Sequence, residues 1–185
     1  MTVPEWNSAG LLPPHDLDSP VSRQRSPYEV TVADIIAKLS TTPQRCAIAD
    51  GFLRYRADLH ALGLTSGFQW VDGSFCTDVE TIDGRAPSDI DIVTFLDTPP
   101  DLDQEAAFLA KPDLFMDPKT GYFCDAYFVE LNGATPEYLI ASSAYWSSVW
   151  GHTRSGTWKG FLQVSLDPEF DGLARDMLQS VEVAQ

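Results

Sequence analysis

The segment Ser88-Asp89-Ile90-Asp91-Ile92-Val93 constrains this chain more than any other. A strand points alternate side chains to opposite faces, so Asp89 and Asp91 share one face while Ile90 and Ile92 share the other. Two neighbouring carboxylates repel each other unless a cation lies between them. Fourteen residues before Ser88, a short apolar run ends in Trp70-Val71-Asp72-Gly73-Ser74-Phe75. The two segments predict successive strands, one entering a Gly-Ser turn and the other opening with paired acids.

Charge limits the partners such a site could serve. The 185 residues carry 12 basic and 27 acidic side chains, a formal net charge of −15. Nucleic-acid binding draws much of its affinity from Lys and Arg displacing counterions around phosphates, and here that contribution is repulsive overall. A nucleic-acid partner is therefore disfavoured, whereas a small nucleotide arriving with its own metal is not. Cys46, Cys76 and Cys124 are few, odd in number and without CxxC spacing, as expected of reduced thiols. No signal peptide opens the sequence and no apolar run reaches the length of a membrane span, so the expected location is cytoplasmic.

The length suits one domain carrying an arm: an extended N-terminal arm over 1–28 and a single domain over 29–185. Five prolines punctuate the arm (Pro4, Pro13, Pro14, Pro20, Pro27), though Gly10-Leu11-Leu12 is more apolar than a solvated tail requires. Helices are predicted from Val32 to Leu39 and, behind the Thr42-Pro43 cap, over 43–62. Phe68–Val71 and Asp89–Leu96 read as strands, with a polar connection over 76–87. Asp101 is placed as the cap of a helix reaching Ala110 that contains Leu102, Ala106 and Leu109. Tyr122–Leu131 is apolar or aromatic on both faces, the pattern of a central buried strand, with Asp125 its one internal carboxylate. A buried carboxylate must find a cation or a donor, become protonated, or face a cleft. Thr135-Pro136 starts a further helix ending at Gly151, with Tyr145 and Trp146 near its end. Gly160–Leu166 is a last strand. Asp167-Pro168 opens a helix with the stripe Phe170, Leu173, Met177, Leu178 and Val181. The sum is an α+β domain, a small mixed β-sheet flanked by helices.

Nucleotidyl transfer needs hard oxygen ligands for Mg²⁺ and a Gly-containing turn whose donors hold phosphates. Asp89, Asp91 and Asp125 supply the first, and Gly73 and Ser74 the second. A bare D-x-D is weak evidence in so acidic a chain, where Asp16-Leu17-Asp18 and Asp101-Leu102-Asp103 also occur. Haloacid-dehalogenase-like phosphatases and metal-dependent glycosyltransferases also use D-x-D, but there the acids follow a hydrophobic strand. Here the apolar run follows the acids, which argues against both. An EF-hand loop fails because Val93 holds the next alternate position.

The order Gly73-Ser74, Asp89-Ile90-Asp91 and then a lone strand acid resembles the nucleotidyltransferase superfamily of DNA polymerase β, across about residues 67–131. The spacing between turn and acids is longer than in minimal members, so an inserted loop is expected there. More narrowly, Gly10-Leu-Leu-Pro-Pro14, Trp70-Val-Asp-Gly-Ser-Phe75, Tyr145-Trp146 and Lys159-Gly160 resemble a family of small bacterial proteins of unknown function grouped with these transferases. The resemblance implies that Asp89, Asp91 and Asp125 bind two Mg²⁺ ions, with Mn²⁺ as an alternative, and that Asp125 helps activate the attacking hydroxyl. Gly73 and Ser74 would hold the triphosphate, and Arg154 and Lys159 are weaker candidates for phosphate contacts. It implies an enzyme moving NMP, most simply AMP from ATP, to a protein or small-molecule acceptor. A toxin–antitoxin or phage-defence role follows by analogy alone. The alternatives are an inactive nucleotide- or partner-binding module on the same fold, and metal-dependent phosphoryl chemistry on an unrelated one.

Overall fold

The four segments read as strands assemble, with an unexpected two-residue strand at the end of the arm, into one five-stranded mixed sheet. A computed structural model describes residues 2–16 and 18–184; of the arm, Met1 and Leu17 lie outside the described residues, as does Gln185 at the other end. The strands are β1 (Tyr28–Glu29), β2 (Gly67–Asp72), β3 (Ile90–Leu96), β4 (Cys124–Glu130) and β5 (Leu162–Ser165), in the order β1-β5-β2-β3-β4. β2 runs antiparallel to β3 and β5, while β1–β5 and β3–β4 are parallel pairs.

Helices α1 (Val32–Leu39) and α2 (Pro43–Ala61) start at Thr31 and Thr42, whose side chains accept the N–H groups of Asp34 and Arg45. With α8 (Asp171–Ala184) they cover the sheet face carrying Val71, Ile90, Ile92, Cys124, Leu162 and Val164. Inside that layer lies a polar chain. Arg56, fully buried, donates to both carboxylate oxygens of Asp171 at 2.7 and 2.8 Å and to Gln69 Oε1 at 2.7 Å. Gln69 donates onward to Thr94 Oγ1 at 3.0 Å.

The opposite face holds a smaller cluster of Trp70, Val93, Phe95, Val129 and Phe161. It is covered by α7 (Pro136–Trp150) through Leu139, Trp146 and Trp150.

Four expectations change. β4 is an edge strand, and its aromatic character serves two partial covers: Tyr127 meets Trp146 from α7, while Phe128 meets Phe115. Phe115 belongs to α5 (Pro112–Met116), which follows α4 (Gln104–Ala110); α6 (Pro118–Tyr122) comes next, and all three lie in the β3–β4 crossover. α4 is capped by Asp103, not Asp101, and buries Ala107, leaving Leu109 exposed. The polar connection of 76–87 contains a short helix, α3 (Val79–Ile82). The last helix buries Ala174 and Leu178, and Phe170 and Leu173 are exposed.

The arm folds back on the body. Val3 and Leu12 join the main core, Trp6 Nε1 donates to the Cys76 carbonyl at 2.9 Å, and the Gly160 amide donates to the Leu12 carbonyl at 2.7 Å. Gly160 permits this contact, since a Cβ there would lie 2.3 Å from the Pro13 carbonyl oxygen.

Candidate functional site

Strand register builds the site. Asp72, at the end of β2, pairs directly with Asp91 at the start of β3, and Asp91 pairs directly with Asp125 at the start of β4. Directly paired residues on neighbouring strands point to the same face, and neighbouring strands lie about 4.8 Å apart. Three carboxylates therefore form a row across three strands, and Asp89, two residues before Asp91, flanks it. The same face carries Trp70, Val93 and Tyr127.

The turn beside the row is held from both sides. Gly73 has φ +88°, a left-handed conformation that glycine adopts without strain, and a Cβ there would lie 2.9 Å from the Asp91 carboxyl carbon and 2.9 Å from its backbone nitrogen. Ser74–Cys76 then forms a single 3₁₀ turn. Ser74 Oγ accepts the Ser88 amide at 3.0 Å and donates to the Asp89 carbonyl at 3.2 Å, which locks turn and β3 together. From below, buried Arg45 donates to the Phe75 and Thr77 carbonyls at 2.7 and 2.6 Å and grips both oxygens of Glu80 at 2.7 Å. A guanidinium suits this position because its rigid fork satisfies several acceptors at once.

The four acids differ in what balances them. Asp72 is buried against the Lys159 ammonium, which contacts both of its oxygens; burial pushes its carboxyl upward and Lys159 pulls against that. Burial also pushes the Asp89 carboxyl up. Hydrogen bonds from Lys119 and Ser88 outweigh it and hold that carboxyl below its usual value. Asp91 has no such relief. Burial, then the charges of Asp72, Asp89 and Asp125, raise its pKa to about 7, with Lys159 opposing. Among the described residues, no donor hydrogen-bonds its carboxylate. Asp125 is half-buried beside Tyr127, whose phenol is raised by burial and by the Asp125 charge.

The row thus brings together Asp89, Asp91, Asp125, Gly73 and Ser74. Lys159 is not a free loop cation: it is buried, and its ammonium is committed to Asp72. Arg154 lies in an exposed turn outside this row. Sequence reasoning missed Asp72 and Lys119. Asp72 had a signal, since it keeps the alternation of Phe68 and Trp70 to the last residue of β2. Lys119 had none.

Whether a divalent ion suits these residues can be judged from the donors. All are carboxylate oxygens, the class hard ions select, and Asp91 carries a charge that burial and three like neighbours oppose. Among the described residues no three His, Cys, Asp or Glu side chains close on one point as a ready metal site. An open row of acids is compatible with Mg²⁺, which keeps several waters and shares substrate oxygens. The residues fit the ion as partial ligands.

An apolar cavity lies elsewhere. About 320 Å³ is lined by Leu64, Leu96, Phe108, Phe115 and Phe128 at the far ends of β3 and β4, away from the acids. Its lining offers no cluster of charged groups to bind a phosphate.

Fold and site define an α+β protein with an acidic row where its central strands meet a glycine turn. The chain belongs to a family of unknown function, DUF6932, which matches residues 4–165. No curated protein and no solved structure matches it. Among the described residues, no helix is long and apolar enough to cross a membrane.

Proposed function

We propose that this protein is a minimal metal-dependent nucleotidyltransferase of the DNA polymerase β type. It would move NMP, most simply AMP from ATP, to a protein or small-molecule acceptor in the cytoplasm. The observation that carries the reading is the row Asp72–Asp91–Asp125, with Asp89 alongside, set against the Gly73-Ser74 turn. A like-charge cluster of this kind is costly to keep without a cation, and clusters whose environment perturbs their acids concentrate at functional sites.

In the reaction, an acceptor hydroxyl oxygen attacks the α-phosphorus. The bond from that phosphorus to the bridging oxygen breaks, and pyrophosphate leaves with the electron pair. Asp125, half-buried at the edge of the row, takes the hydroxyl proton. Asp89, Asp91 and Asp125 would hold Mg²⁺ or Mn²⁺, whose chemistry when bound is to neutralise the triphosphate and favour ionisation of the attacking hydroxyl. Gly73 and Ser74 orient the phosphates. Lys159 acts indirectly, holding Asp72 in place and reducing the charge beside Asp91. Tyr127 and Trp146, whose ring centres are 4.8 Å apart, offer ring surface beside the acids for a base. Cys76 and Cys124 are buried thiols outside any disulfide, in keeping with a reducing compartment. The acceptor could be a toxin or another defence-system protein, by analogy with other small members of that superfamily.

A second reading, a nucleotide- or partner-binding module without turnover, draws on the two lysines, which neutralise two of the four acids with no ion bound. Incubation with Mg²⁺ and each α-labelled NTP, with and without host lysate, separates the two. Transfer of label to an acceptor, lost in Asp89→Ala and Asp91→Ala, supports the enzyme. Nucleotide binding without transfer supports the module, and label transfer that survives both substitutions removes the site from consideration.

A further inference from the structure

The two lysines at the acid row are not equivalent. Lys159 is buried with its carboxylate, so removing it would strand a charge inside the protein. Lys119 reaches in from α6, and its Nζ lies 2.6 Å from Asp89 Oδ2 while 60% of its side chain stays exposed. Its ammonium also feels the charges of Asp125 and Asp91, so one lysine serves three acids.

The helix that carries Lys119 is fixed without it. Tyr122 donates to Asp58 at 2.6 Å, and Arg54 donates to the Gly121 carbonyl at 3.0 Å. Gly51 of α2 lets this segment approach so closely that a Cβ there would lie 2.0 Å from the Tyr122 carbonyl oxygen. The ammonium can therefore swing into solvent while α6 stays in place. Long exposed lysine stems make such exchanges at little cost, because the head group is hydrated wherever it goes.

We propose that Lys119 is a tethered counter-cation: it occupies Asp89 in the metal-free protein and is displaced when a divalent ion enters the row. The proposal rests on the metal-site reading above and adds a competitor built into the chain. It makes the row tolerable without metal and sets the threshold concentration at which metal enters.

The test is calorimetric titration of Mn²⁺ into the full-length wild type and into Lys119→Gln, Lys119→Ala, Lys119→Arg and Asp91→Asn, at one pH and ionic strength. Melting curves of each metal-free variant establish that it is folded. Removing a unit charge a few ångströms from the ion, in partly screened surroundings, should tighten Mn²⁺ binding about tenfold in Lys119→Gln and Lys119→Ala. Lys119→Arg keeps the competing charge and should bind no tighter than wild type. If Asp91→Asn abolishes binding while Lys119→Gln and Lys119→Ala bind as wild type or more weakly, Lys119 is no competitor, and the metal site stands without it. If no form of the protein takes up Mn²⁺, the proposal and the metal-site reading fail together.

Discussion

Strands β2 and β3 carry a charged network on each face, and the two are built on opposite rules. On the helix-covered face, Arg56 meets Asp171 and Gln69, Gln69 meets Thr94, and the charges are matched within hydrogen-bonding distance. On the other, four carboxylates face two ammonium groups, and Asp91 is left with a pKa of about 7. A network that serves the fold satisfies its own charges. One that leaves a carboxylate unsatisfied among like neighbours lowers stability, and a bound cation would reverse that cost.

The contrast can be broken from either side. The largest effect belongs to the matched network. Arg56→Met should destabilise the protein by about 3–5 kcal/mol, because it strands Asp171 and Gln69 in the core, and chemical denaturation would read this directly. The opposite sign is expected in the unmatched row. Asp91→Asn should raise metal-free stability at pH 8 by about 2 kcal/mol while abolishing nucleotidyl transfer. Equal destabilisation by both substitutions would erase the distinction.

A smaller effect appears in the pH dependence. Folding raises the Asp91 pKa, so the native state keeps a proton that the unfolded chain has released, and stability falls as pH rises from about 4 to about 7. His60, whose pKa is held low by burial and by Arg56, contributes with the opposite sign. The difference between wild type and Asp91→Asn isolates the acid. Thermal melts at pH 5.5 and 8 should show wild type losing more than the variant does. Smallest of all, Asp125→Asn on the half-buried edge should change stability by less than about 1 kcal/mol while still eliminating transfer.

Much of this arrangement was legible in the chain. Alternation put Ile90 and Ile92 on the buried face of β3 and Asp91 on the other, and cap-then-proline pairs located α2 and α7 to within a residue or so. Register was not legible: Asp72 joins the row only because β2 pairs antiparallel with β3 so that residue 72 meets residue 91. Neither was the edge position of β4, since a strand half-covered by helices on both faces has the composition of a central one. Lys119 and Lys159 reach their acids from helix and loop segments 30 residues away from Asp89 and 87 away from Asp72, and no local pattern encodes such contacts.

The central claim is that the acid row binds a divalent ion together with a nucleoside triphosphate. A crystal structure grown with Mn²⁺ and a non-hydrolysable ATP analogue, with anomalous data at the manganese edge, tests it most directly. The expected result is manganese on Asp91 with Asp89 or Asp125, phosphates at Gly73-Ser74, and Lys119 withdrawn from Asp89. A nucleotide seated in the apolar cavity of Phe108, Phe115 and Phe128, with no manganese at the row, would contradict it.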